Sequence, residues 1–192
     1  MDMNILDIES LRNGIPFISD GWFHLYKEKC MVAFSSQGHE NGVPMKITVN
    51  GNIKNANILW EGEINQQLID SHADSKKTTD DAACAIALLI IREFTDYTAY
   101  KTTDASGERV DYYLKPQSQD QDETLIFNNT AYLEVSGIRR ETPNNSVKKR
   151  LKEKKDRAKS SIMLKDAEAT YICIVEFSKP LSVTEEVSCL LV

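Results

Sequence analysis

Apolar positions along the chain follow two regimes. Up to residue 77 they come in short bursts separated by turn signals. Residues 22–26 (WFHLY) and 30–34 (CMVAF) are rich in aromatic and branched side chains. Residues 45–49 alternate Met, Lys, Ile, Thr, Val with a period of two. Residues 37–42 (QGHENG) and the Asn50-Gly51 pair read as turns, and residues 58–60 resume a strand. After a short helical lead-in over residues 1–15, residues 1–77 are thus predicted as a β-rich region, an antiparallel meander of about three to five strands. Residues 66–77 are polar and read as a helix followed by a loop.

From residue 78 the character changes. Thr78, Thr79, Asp80 and Asp81 offer capping oxygens and acids suited to a helix start. Residues 82–94 follow with Ala, Leu and Ile throughout, so this helix is apolar nearly all round and expected between layers. Residues 97–101 and 109–114 read as two strands of a hairpin, turning at 104–107. Residues 116–123 (PQSQDQDE) form a polar loop, and a third strand is clearest at 131–135. Residues 147–159 make a basic helix, and 170–177 (TYICIVEF) a strongly β-prone fourth strand that Pro180 ends, leaving a short tail. Residues 78–192 are therefore predicted to be an α/β core in the order αβββαβ: a mixed four-stranded sheet flanked by helices, either separate from the β-rich part or continuous with it.

Charge sharpens the picture. The net charge is −6, yet residues 139–159 hold ten basic residues against three acids. One dense basic segment on an acidic protein points to a localised anionic partner, nucleic acid first, although a solvated helix face looks the same. The four cysteines are scattered without a CxxC pair, which suits buried thiols in a reducing cytoplasm. His24, His39 and His72 are not clustered with them as a zinc site requires. The ending Cys189-Leu-Leu-Val192 has no polybasic neighbour and reads as the end of the chain. No apolar run reaches the length that spans a bilayer, and the acidic N-terminus does not read as a signal peptide, so the expectation is a cytoplasmic protein with no membrane partner. Trp22, Phe23, Tyr26 and Trp60 are expected in the core, and His39 at a polar hairpin tip.

Asp111, in Arg-Val-Asp-Tyr-Tyr-Leu, falls on the second predicted strand, and Glu134, in Tyr-Leu-Glu-Val-Ser-Gly, on the third. The element order and these two acids resemble the restriction-endonuclease-like fold and its PD-(D/E)xK nucleases over roughly residues 78–178. The resemblance implies Asp111 and Glu134 as ligands of Mg²⁺ or Mn²⁺, with Glu93 of the buried helix as a further acid. It also implies a function: a metal-dependent nuclease or nucleic-acid-processing protein, of a kind frequent in prokaryotic defence, mobile elements and repair. Ser136 stands where the family carries its lysine. Some relatives move that cation to the following helix, where Lys148, Lys149 and Lys152 are candidates, with Lys101 on the first strand. Others have lost catalysis and serve as nucleic-acid-binding or protein-interaction subunits of larger complexes.

Alternation gives the geometric condition. Glu134 and Ser136 must share a face opposite Leu133 and Val135, and Asp111 must converge on them. A carboxylate among apolar neighbours needs a partner: a metal ion, an arginine such as Arg109, Arg139 or Arg140, or solvent at a sheet edge. The catalytic candidates are Asp111, Glu134, Ser136 and Lys148. Arg139, Arg140, Lys149, Arg150 and Lys152 are the candidate phosphate contacts. Gly137 permits either a close backbone approach or a strand-ending turn. A protein partner or a second copy could pair with edge strands of the N-terminal part.

Overall fold

A computed structural model describes residues 4–101, 110–117, 131–160 and 167–187. The turn expected at 104–107, Arg109, most of the polar loop at 118–123, the side chain of Lys101 and Cys189 with the end of the chain lie outside the described residues.

The N-terminal part is not a β-meander. It begins with strand β1 (Asn4–Asp7), then a 3-10 turn (Ile8–Arg12), then helix α1 (Asp20–Ser35), where two strands were expected. The reason is periodicity. Phe23, Tyr26, Cys30 and Phe34 recur every three to four residues and are all buried on one side of α1. Ser19 caps the helix, its Oγ accepting from the N–H of Trp22 at 3.4 Å. Local β-propensity is the weaker signal once that stripe has a core to face.

Strands β2 (Val43–Val49) and β3 (Asn52–Leu59) form the expected hairpin. Asn50 and Gly51 sit at φ 48° and 81°, the paired left-handed conformation that a tight hairpin turn demands. Short helix α2 (Gln66–Ser71) leads to α3 (Ser75–Phe94), then β4 (Tyr97–Lys101), β5 (Tyr112–Pro116) and β6 (Ala131–Ile138). Helix α4 (Val147–Ser160) and β7 (Thr170–Glu176) follow. The chain then adds β8 (Leu181–Val187), where only a tail was expected.

That last strand changes the architecture. β8 pairs antiparallel with β7 and parallel with β2, joining both halves of the chain into one eight-stranded mixed sheet of order β1-β3-β2-β8-β7-β6-β5-β4. The expected four-stranded sheet is therefore corrected, among the described residues, to an eight-stranded one, curled as a half-barrel with four helices. Edge strand β1 runs parallel to β3, and the sheet continues unbroken across residue 77. β8 escaped notice because its buried positions on the α3 face are Ser182 and Thr184, which invert the usual alternation.

α1 and α3 cover one face of the sheet and α4 the other. α3 begins earlier than expected: Asp74 caps it, accepting from the N–H groups of Lys76 and Lys77 at 3.1 and 3.0 Å. Residues 85–91 of α3 are buried without exception, because the sheet closes one side and α1 the other. Ile138, Ile172, Ile174 and Val187 form the smaller core with Val147 and Ala158 of α4. No helix among the described residues is long and apolar enough to cross a membrane.

Candidate functional site

The site arises where β5 stops accompanying β6. Their pairing reaches Tyr112↔Leu133, and the Asp111 N–H still donates to the Leu133 carbonyl at 3.1 Å. Beyond that point β6 has a bare edge whose N–H groups need acceptors. Asp111 supplies one: its Oδ2 accepts from the N–H of Val135 at 2.7 Å. The Gly137 backbone supports the carboxylate of Asp80, which reaches in from α3. α3 can come this close because residue 137 is glycine. A Cβ there would lie 2.5 Å from the carbonyl oxygen of Thr79. Gly137 thus permits a close approach, and β6 continues through it to Ile138.

Glu134 and Ser136 face α4, in register with Ile172 and Ile174 of β7. Both are buried. α4 answers them with two cations one turn apart. Arg150 donates to Ser136 Oγ at 2.9 Å and to Asn145 Oδ1 at 2.7 Å. Lys154 forms an ion pair with Oε1 of Glu134. The start of α4 is fixed by Glu141, whose Oε1 accepts from the Val147 N–H at 2.7 Å.

Between these walls lies a cavity of about 950 Å³. Asp80, Asp81, Asp111, Glu134 and Glu153 line it, opposed by Lys76, Arg150, Lys154 and Arg157. Trp22, Tyr26, Val110 and Tyr112 make its apolar side. Asp111 opens to the cavity, yet crowding by protein raises its pKa above the usual aspartate value. The Val135 N–H and Lys154 oppose that rise, whereas Glu134 and Asp80 add to it. Burial likewise raises Asp80, with Lys76, the Gly137 backbone and Arg150 pulling down and Asp81 pushing up. Asp81 pairs with the buried Lys29 of α1. The Cys84 thiol is pushed up to about 12, chiefly by burial and then by Asp111, so it is a protonated wall group and not a thiolate nucleophile.

Of the residues singled out from sequence, Asp111, Glu134, Ser136 and Arg150 converge on this cavity. Others lie elsewhere. Glu93 is near the far end of α3, paired with Arg92 at 2.8 Å. Lys148, Lys149 and Lys152 are exposed on α4 and do not line the cavity, and Lys152 pairs with Asp156 at 2.8 Å. Arg140 reaches Gln37 Oε1 at 3.2 Å, while Arg139 borders a separate hollow of about 120 Å³. Neither arginine is the partner of Glu134; Lys154 is. His39 is remote, its Nε2 3.2 Å from the Ser178 carbonyl.

Sequence reasoning missed Asp80, Lys76, Lys154 and Arg157, and Trp22, expected in the core, is partly buried against it and also lines the cavity. The spacing of Arg150, Lys154 and Arg157 was the available signal, since positions four and three apart share one helix face. Among the described residues no group of three or more His, Cys, Asp or Glu is arranged to hold a metal ion. No family model matches the chain, and neither a curated protein nor a solved structure matches it significantly.

Proposed function

We propose that the cavity is a phosphodiesterase site that acts on nucleic acid with the help of Mg²⁺ or Mn²⁺. The observation that supports this is the convergence of Asp111, the residue before β5, and Glu134 of β6 on one open cavity whose other wall carries Arg150, Lys154 and Arg157. The donor set fits a hard cation. Asp111 spends Oδ2 on Val135 and Glu134 spends Oε1 on Lys154, leaving Oδ1 and Oε2 without a hydrogen-bond partner among the described residues. Two carboxylates suffice when water and phosphate oxygens complete the shell. When bound, such an ion lowers the pKa of water and neutralises charge on the phosphate.

The chain's own groups do the rest. Arg150, held by Ser136 and Asn145, is oriented in advance to donate to a phosphate oxygen. Lys154 brings to Glu134 the cation that the strand lacks at Ser136, where it can stabilise charge developing on the leaving oxygen. Asp111 must be deprotonated for a cation to enter. Because its pKa is raised, hydrolysis is expected to fall with decreasing pH already above the ordinary aspartate range. Asp80→Asn removes a charge that raises Asp111, so the acid limb of the pH–rate profile should move to lower pH; an unmoved limb contradicts the coupling.

A second reading is a noncatalytic relative that binds nucleic acid or a protein partner. It is favoured by the partners that Asp111 and Glu134 already have within the protein. A hydrolysis assay with Mg²⁺ or Mn²⁺ on single- and double-stranded DNA and RNA separates the two. The proposal expects cleavage that drops about 10²-fold or more in Asp111→Asn and Glu134→Gln. Salt-dependent binding without any cleavage establishes the second reading instead.

A further inference from the structure

Helix α4 carries more charge than the cavity uses. Its 14 residues hold eight cations against two acids, Glu153 and Asp156. Arg150, Lys154 and Arg157 turn to the cavity, while Val147, Leu151 and Ala158 pack on the sheet. Lys148, Lys152, Lys155 and Lys159 recur at intervals of four, three and four, so they share one flank and form a row about 16 Å long. None of the four lines the cavity, and Lys155 pairs with Glu185 of β8, so this is the flank away from it. Lys148, Lys149, Lys152 and Lys159 are exposed.

A face that only had to be wetted would mix its charges. Along this row neighbouring side chains repel, which destabilises a helix. Lys148, Lys149 and Arg150 also stand in the first turn, which holds no acid, where positive charge opposes the helix dipole. Little within the protein offsets these costs. Lys148 and Lys149 form no ion pair among the described residues. Lys152 and Asp156 pair at 78% and 61% exposure, a surface contact that yields to a competing polyanion.

We infer that the outer side of α4 is a second contact for nucleic acid, where Lys148, Lys149, Lys152 and Lys159 hold backbone phosphates that flank the nucleotide in the cavity. This rests on the nucleic-acid reading above. A strand leaving the cavity crosses α4, about 10–12 Å wide, to reach the row. The contact is to phosphate alone, so it carries no sequence preference and needs no metal ion. An anionic membrane offers similar charge, but a helix lying on a membrane buries an apolar face in it. α4 has already placed Val147, Leu151 and Ala158 against Ile138, Ile172 and Ile174.

The test is the fluorescence anisotropy of labelled oligo(dT), about 20 nucleotides long, with the full chain in EDTA from about 50 to 250 mM salt. The parent is compared with Lys148→Gln/Lys149→Gln/Lys152→Gln/Lys159→Gln. At about 150 mM salt the Debye length is about 8 Å, so only charges close to the strand count. There the variant is expected to bind about tenfold more weakly, with a log–log salt slope smaller by about two to three, the share of three to four phosphates on a single strand. Its melting temperature should equal or exceed the parent's, because like charges have gone and glutamine keeps helix propensity, so the weaker binding is not lost folding. Unchanged affinity and slope overturn the inference and leave the nucleic-acid reading standing. A parent that binds no oligonucleotide overturns both, and if it binds phosphatidylserine vesicles instead, the row is a membrane contact.

Discussion

Replacing Lys154 with methionine is expected to lower the unfolding free energy by about 3 kcal/mol, the lower end for breaking a buried ion pair. Glu134 is 4% exposed, and Lys154 is the cation paired with it. Without Lys154 the carboxylate is left charged in a poorly solvated place or must take up a proton. The cavity admits some water, which is why the lower end applies. Glu134→Gln should cost less, about 1 kcal/mol, because the amide oxygen still accepts from Lys154 and the lysine stem can carry its charge toward solvent. The double variant should recover most of the loss, which a double-mutant cycle followed by urea denaturation measures. Metal distinguishes a structural pair from a ligand. If Glu134 can hold a dication, millimolar Mn²⁺ stabilises Lys154→Met more than the parent, since the ion takes the place of the missing ammonium. Equal stabilisation of both proteins assigns the pair a purely structural role.

Gly137→Ala is the second large effect. The added Cβ would sit 2.5 Å from the Thr79 carbonyl oxygen and 2.8 Å from its Cγ2. The first of these is helix backbone, so relief requires α3 to move away from β6. Overpacking of this kind costs about 3 kcal/mol, the upper end of its common range. The same movement draws Asp80 off the β6 edge, so activity should fall alongside stability. Gly21→Ala is the matched control. It lies in the first turn of α1 with its nearest neighbour, Ser19 Oγ, at 4.0 Å, and should stabilise by up to about 1 kcal/mol. Melting temperatures of the two variants should therefore move in opposite directions, and a neutral Gly137→Ala would mean that α3 and β6 are not in such close contact.

The parts of the fold legible in sequence were those whose pattern is local. The β2–β3 hairpin announced itself through alternation and Asn50-Gly51, α3 through its Ala-Leu-Ile run at 85–91, and β7 through TYICIVEF. α1 was misread because its residues have high strand propensity individually, while its helical stripe emerges only over residues 23–34. β8 was missed because Ser182 and Thr184 occupy buried positions where apolar residues are the usual sign of a strand. That omission also hid the sheet size, since β8 alone bridges β2 and β7. At the site, Glu134 and Ser136 could be read together because alternation along one strand is a local rule, whereas Asp111, expected on the second strand, lies one residue before β5 and reaches the cavity from the edge of β6. Lys154 and Asp80 could not, because which turn of α4 or α3 lies over β6 is set by packing across the sheet.

The most direct test of the account is a calorimetric titration of Mn²⁺ into the parent protein and into Asp111→Asn. The asparagine oxygen still accepts from the Val135 N–H, and the substitution removes a carboxylate whose charge burial disfavours, so the metal-free variant should melt no lower than the parent. The account predicts one saturable site in the parent that is lost in the variant. Absence of binding to the parent, or equal binding to both proteins, contradicts it.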